Sequence, residues 1–228
     1  MLGFGHGPQK RDILIVHFLR TRVTPIVIVF AAGVVLGVMG PLMGKFDNEI
    51  CHSAALVFSG GWTWACFAFL VGFSRRSKIE STLLASSALA VAVVVYYVFK
   101  SVFPAAPIGQ VVSSGSGDGL GSRIFVWGIA AFAFGAPVGL FGNIARTHGI
   151  GGLPFRLLIP LTAFIETSAR LGAETPSQGD VVEFTWNAIR IAASAAFLAV
   201  LLHELITWRA EREAPGEDRA DNQTVTGS

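Results

Sequence analysis

The 228-residue chain is 52% hydrophobic and 14% charged, with a mean hydropathy of +0.60. Soluble domains carry about 25% charged residues, so this composition excludes an ordinary soluble globule. A formal net charge of +2, with no basic patch interleaved with aromatics, argues against a nucleic-acid partner.

The chain divides into an N-terminal segment 1–22, a membrane domain 23–208 and a tail 209–228. In the first part an apolar run, 13–19, lies between Lys10, Arg11, Arg20 and Arg22. It is too short to span and no small-residue cleavage site follows it, so an interfacial helix leading into the first span is predicted. Six runs are then long enough for a crossing of about 20 residues: 23–44, 53–73, 82–99, 124–145, 153–171 and 184–208. The predicted fold is an all-α membrane protein of six transmembrane helices. The tail alternates charges and lacks apolar residues, a composition that predicts disorder.

The first span places Gly33, Gly37, Gly40 and Gly44 on one helix face, and bare glycine faces let membrane helices approach closely. Pro41 is expected to kink its outer end. The second span holds Gly60-Gly61-Trp62-Thr63-Trp64 near its middle. Tryptophan favours interfaces, so Trp62 and Trp64 are expected either to pack on other helices or to form an aromatic platform. Tyr96 and Tyr97 close the third span as an interfacial belt.

Residues 104–122 read as a flexible glycine- and serine-rich loop. Its Gly115-Ser116-Gly117-Asp118-Gly119 lacks the Gly-Lys-Ser/Thr ending and the preceding strand of a phosphate cradle. The fourth span carries Gly135, Gly139 and Gly142, and residues 170–183 read as a short acidic loop joining the last two spans.

Six spans put both termini on one side. That side holds twelve Lys and Arg and the other four, which places both termini in the cytoplasm of a bacterial cell, with the spans in its inner membrane. The first and fourth spans share the pattern Gly-x3-Gly-x2-Gly, at Gly33/Gly37/Gly40 and Gly135/Gly139/Gly142. With opposite directions through the membrane, the halves could be two inverted three-helix repeats, a design recurrent in secondary transporters. Coincidence in a glycine-rich chain gives the same pattern.

The polar residues of the last two spans carry the functional reading. Thr162, Glu166 and Arg170 share one face of the fifth helix, and Glu183, Asn187, Arg190 and Ser194 follow helical spacing on the sixth. Glu166 and Arg190 fall at similar depth on consecutive antiparallel helices, so a Glu166–Arg190 pair is predicted, with Arg170 as an outer second partner. Charges at membrane depth are costly when unpaired. The cluster reads either as a static clamp or as a polar pocket in which Glu166 takes up a proton or a charged group of a solute.

No catalytic set is evident. His203-Glu204 lacks the second histidine of a zinc-protease motif, and Ser116 falls on the opposite side of the membrane from His203. Cys51 and Cys66 stand roughly 22 Å apart along a helix, beyond disulfide reach. No cysteine and histidine spacing suits zinc, so neither a metal nor a cofactor is expected, and the chain is not expected to be an enzyme.

Ser59-Gly60-Gly61-Trp62-Thr63-Trp64-Ala65, with Gly139-Leu140-Phe141-Gly142-Asn143-Ile144-Ala145-Arg146 leading into Leu157-Leu158-Ile159-Pro160-Leu161 and Glu166, resembles a family of uncharacterised actinobacterial six-helix integral membrane proteins. The resemblance implies membrane localisation and no particular activity. The expected role is a small-solute or ion-coupled transporter-like protein, or else a structural or partner-binding membrane subunit. The expected partners are the lipid bilayer, a small solute or proton, and a membrane-protein partner or second copy of the chain.

Overall fold

The computed structural model describes residues 23–103 and 118–213, and every regular element among them is helical. Seven helices follow in order: α1 (Thr24–Met43), α2 (Glu49–Ser59), α3 (Gly61–Phe73), α4 (Lys78–Val102), α5 (Asp118–Ile144), α6 (Leu153–Gln178) and α7 (Asp180–Glu213). The predicted interfacial segment 1–22, most of the glycine-serine loop and the tail beyond 213 lie outside the described residues.

Local chemistry sets several helix ends. The Asn48 side chain accepts from the Ile50 N–H at 2.9 Å and starts α2. Ser77 caps α4. Proline stands in the first turn of α1 and of α6, where its missing N–H costs nothing. Between α6 and α7 only Gly179 intervenes, at φ 84°, a conformation open chiefly to glycine.

Helices α1, α4, α5 and α7 are long and apolar enough to cross a membrane, and a fifth crossing results if α2 and α3, bent by 60° at their junction, count as one. Large apolar side chains stay exposed all around the molecule: Ile28, Phe125, Phe134, Ile191 and Ile206 among them. A water-soluble surface does not carry that much apolar area, whereas lipid requires it. The described helices are those of a multi-pass membrane protein.

The six predicted spans are changed in three ways. The second is broken at Gly60 into α2 and α3. The fifth forms as α6, but it is not among the apolar spans: every 18-residue stretch of it contains at least three charges, drawn from Arg156, Glu166, Arg170 and Glu174. The acidic loop predicted at 170–183 is helix on both sides of Gly179, and α5 starts at Asp118, ahead of the predicted 124. Hydropathy marks where apolar surroundings begin. A helix, whose backbone bonds are internal, continues past that point.

Helix α4 is the centre of the bundle. It packs against α1, α3 and α5, and α5 packs on α3 as well. Ala68 and Val71 of α3, Leu84, Ala85, Leu89 and Val93 of α4 and Ala131 of α5 form the buried core. The glycine faces are where backbones touch. A Cβ added at Gly33 would lie 2.9 Å from the Ala88 carbonyl, and one at Gly37 would overlap the Ala92 carbonyl. One added at Gly40 would sit 3.2 Å from the Ser59 hydroxyl. At Gly135 it would lie 3.0 Å from the Ser86 Cα, at Gly139 2.5 Å from the Ala85 Cβ, and at Gly142 it would overlap the Phe69 carbonyl. The buried Ser81 hydroxyl ties this junction, shared between the carbonyls of Gly72 at 3.0 Å and Gly139 at 2.9 Å.

The two halves do not pack alike. The first span, α1, lies on the third, α4, whereas the fourth, α5, makes no contact with the last, α7. Instead α6 and α7 form a tight antiparallel hairpin that joins the rest chiefly through α3 and α2.

Candidate functional site

The break between α2 and α3 leaves backbone groups without helical partners, and at membrane depth each must be satisfied from within the protein. Side chains supply those partners. The Thr63 hydroxyl donates to the Val57 carbonyl, and the Trp64 indole N–H donates to the Phe58 carbonyl at 2.9 Å. On the other side of the break, the Glu166 carboxylate of α6 accepts from the Gly61 N–H at 2.8 Å and from the Trp62 N–H at 2.6 Å. A carboxylate thus sits on the positive N-terminal end of α3, the favourable end for an anion. Gly61 allows the approach: a Cβ there would stand 3.1 Å from Glu166 Oε2. The indole N–H of Trp62 is buried with no acceptor among the described residues.

A ladder runs along α6 from this point. Arg170 Nε donates to Glu166 at 2.9 Å and its Nη1 to Glu174 at 2.8 Å, both at i,i+4 spacing. The Arg170 guanidinium lies 5.1 Å from the Trp186 ring of α7, in cation–π range. The Trp186 indole in turn donates to Glu174 at 3.0 Å. Trp186 is fully buried, so the charged ladder is anchored to the interior of the α6–α7 hairpin.

Glu166 and Arg170 form one wall of a cavity of about 590 Å³ between α3, α4 and α5. The other walls are mostly aromatic or small: Trp64, Tyr96, Tyr97, Trp127 and Phe134, with Ala131 and Gly135. Trp64 meets Tyr96 edge to face at 5.9 Å, and Tyr96 meets Tyr97 at 5.2 Å. Trp64, expected either to pack on other helices or to form an aromatic platform, packs edge-on against Tyr96 and lines the cavity.

Of the seven polar residues singled out from the sequence on the last two spans, Glu166 and Arg170 reach this cavity. Thr162 returns its hydroxyl to the Leu158 carbonyl of its own helix, and Glu183 is exposed. The predicted Glu166–Arg190 pair is not formed: the Arg190 guanidinium donates to Asn187 at 3.0 Å on its own helix. Counted along the hairpin, Glu166 lies thirteen residues before Gly179 and Arg190 eleven after it, a difference in rise of about 3 Å, so it is direction and not distance along the helices that separates them. Glu166 turns toward the end of α3, and backbone N–H groups carry no signature in a sequence. The break itself had one, because the Gly60-Gly61 pair inside an apolar run is a punctuation mark.

Among the described residues no group of three or more metal-ligating side chains is present, and Cys51 and Cys66 are free thiols. Glu204, beside His203, is ion-paired to Arg156. No protein-family model matches the chain, and comparisons with curated proteins and with solved structures give no match.

Proposed function

We propose that this is a bacterial inner-membrane protein that moves a small solute or couples to an ion, with its polar site at the broken helix α2–α3. One observation carries the reading: Glu166 holds the exposed end of a half-helix and at the same time faces a cavity large enough for a small molecule. Discontinuous helices whose ends point into a cavity are the recurrent binding device of membrane transporters. Neutralising Glu166, by a proton or by a solute cation, weakens its bonds to Gly61 and Trp62 and releases that end of α3.

In this reading α6 is also a crossing, the fifth of six, tolerable at depth because its charges are paired with one another, with α3 and with Glu204 of α7. Both termini are cytoplasmic, since the ends of the bundle near Arg75, Arg76, Lys78, Arg146, Arg156, Arg209 and Arg212 take the positive-inside side. The resemblance to actinobacterial six-helix membrane proteins fits this assignment.

A second reading, a structural or partner-binding subunit, draws on the completeness of the Glu166 bonding, which suits a static clamp. Reconstitution into liposomes separates the two. A transporter shows solute- or pH-driven flux that Glu166→Gln alters. A subunit shows no flux with any member of a panel of amino acids, sugars, amines and inorganic ions.

A further inference from the structure

At the basic end of the bundle lies a second cavity, of about 1120 Å³, between the ends of α3 and α5 and the flank of α7. Its lining changes character along the helices. The deeper turns contribute Phe69, Val200 and Leu201, the outer turns Arg146, His148 and His203, and Trp208 lies beyond them. That order, apolar inside and basic outside with tryptophan at the rim, matches the order of groups along a phospholipid.

The charges in this cavity are unequally committed. Arg156 is spent: it pairs with Glu204 and donates to the carbonyls of Ala145 and Thr147, each at 2.8 Å. That contact also neutralises the cavity's single carboxylate. Arg146 makes one long bond, 3.3 Å, from Nη1 to the Phe73 carbonyl, and has no carboxylate partner among the described residues. The imidazoles of His148 and His203 donate to nothing among the described residues. One uncompensated guanidinium and two free imidazoles therefore face a slot with apolar walls.

The geometry points to a binding site for an anionic phospholipid, its phosphate on Arg146, His148 and His203 and its acyl chains along Phe69, Val200 and Leu201. Charge complementarity selects the occupant. A zwitterionic lipid would bring its own cation toward Arg146, and a free phosphate would leave the apolar depth empty.

The test is thermal unfolding of the full chain in neutral detergent, titrated with phosphatidylglycerol, with phosphatidylcholine of the same acyl chains, and with soluble glycerol phosphate. Phosphatidylglycerol should half-saturate the stabilisation at about a fivefold lower concentration than phosphatidylcholine, the weight of one basic residue near a membrane surface. Arg146→Gln should remove that preference. His148→Gln and His203→Gln, which break no bond within the described fold, should each reduce it and serve as readout if Arg146→Gln fails to fold. Equal stabilisation by both lipids, or a preference untouched in the histidine variants, overturns the site. An equal shift from glycerol phosphate alone assigns it to a free phosphate and overturns the lipid.

Discussion

Replacing Glu166 with alanine removes the acceptor for three donors at once: the Gly61 and Trp62 N–H groups and the Arg170 Nε. Each donor left without an acceptor costs about 1–3 kcal/mol where water does not replace the partner. Arg170 keeps Glu174, and its side chain is 33% exposed, so its share is small. The Gly61 bond is exposed, so water replaces part of it, and the two backbone groups together set a loss of about 2–4 kcal/mol. For a chain of this size that lowers the melting temperature by roughly 4–16 °C. Glu166→Gln should cost about half as much by the same reckoning, because its carbonyl still serves one N–H while its amide faces the other. The assay is thermal unfolding of the detergent-solubilised protein followed by tryptophan fluorescence. Melting of Glu166→Ala within a degree or two of the parent chain would refute the cap.

Two further expectations follow from contacts in the bundle. Gly139→Ala should destabilise by about 1–3 kcal/mol, since the new methyl meets Ala85 and Ser81. Gly128→Ala in the same helix has nothing within 4 Å and should be neutral or gain up to about 1 kcal/mol; melting curves of the two variants should shift in opposite directions or differ clearly in size. In double-mutant cycles Glu166→Gln should couple with Arg170→Gln by about 0.5–3 kcal/mol and add with Arg190→Gln to within about 0.5 kcal/mol. Coupling to Arg190 and not to Arg170 would restore the pairing expected from depth alone.

What could be read in the sequence was whatever repeats along one helix. The apolar runs gave four helices long and apolar enough to cross a membrane, the Gly33/Gly37/Gly40 and Gly135/Gly139/Gly142 spacings gave the faces on which backbones touch, and the four-residue spacing of Glu166 and Arg170 gave their ion pair. Relations between helices were not legible, because they depend on how each helix is rotated about its axis. Arg190 stands at a matching distance from the hairpin turn but bonds Asn187 on its own helix and not Glu166. Trp186, which nothing in the sequence singled out, holds both Glu174 and Arg170. The shared glycine spacing of α1 and α5 gave similar close contacts with α4, but α5 does not meet α7 as α1 meets α4.

In the transporter reading the helix break opens onto a cavity that water reaches from the side opposite the basic loops, whereas a static clamp is sealed. Ser59 lines that cavity and is exposed. A cysteine at position 59, in a chain whose Cys51 and Cys66 are replaced by alanine, reports on it directly. With right-side-out membrane vesicles and a membrane-impermeant maleimide, Ser59→Cys should be labelled, and labelling should slow when a transported solute is present. No labelling from that side, or labelling only in inverted vesicles, would rule out a cavity open on the side opposite the basic loops.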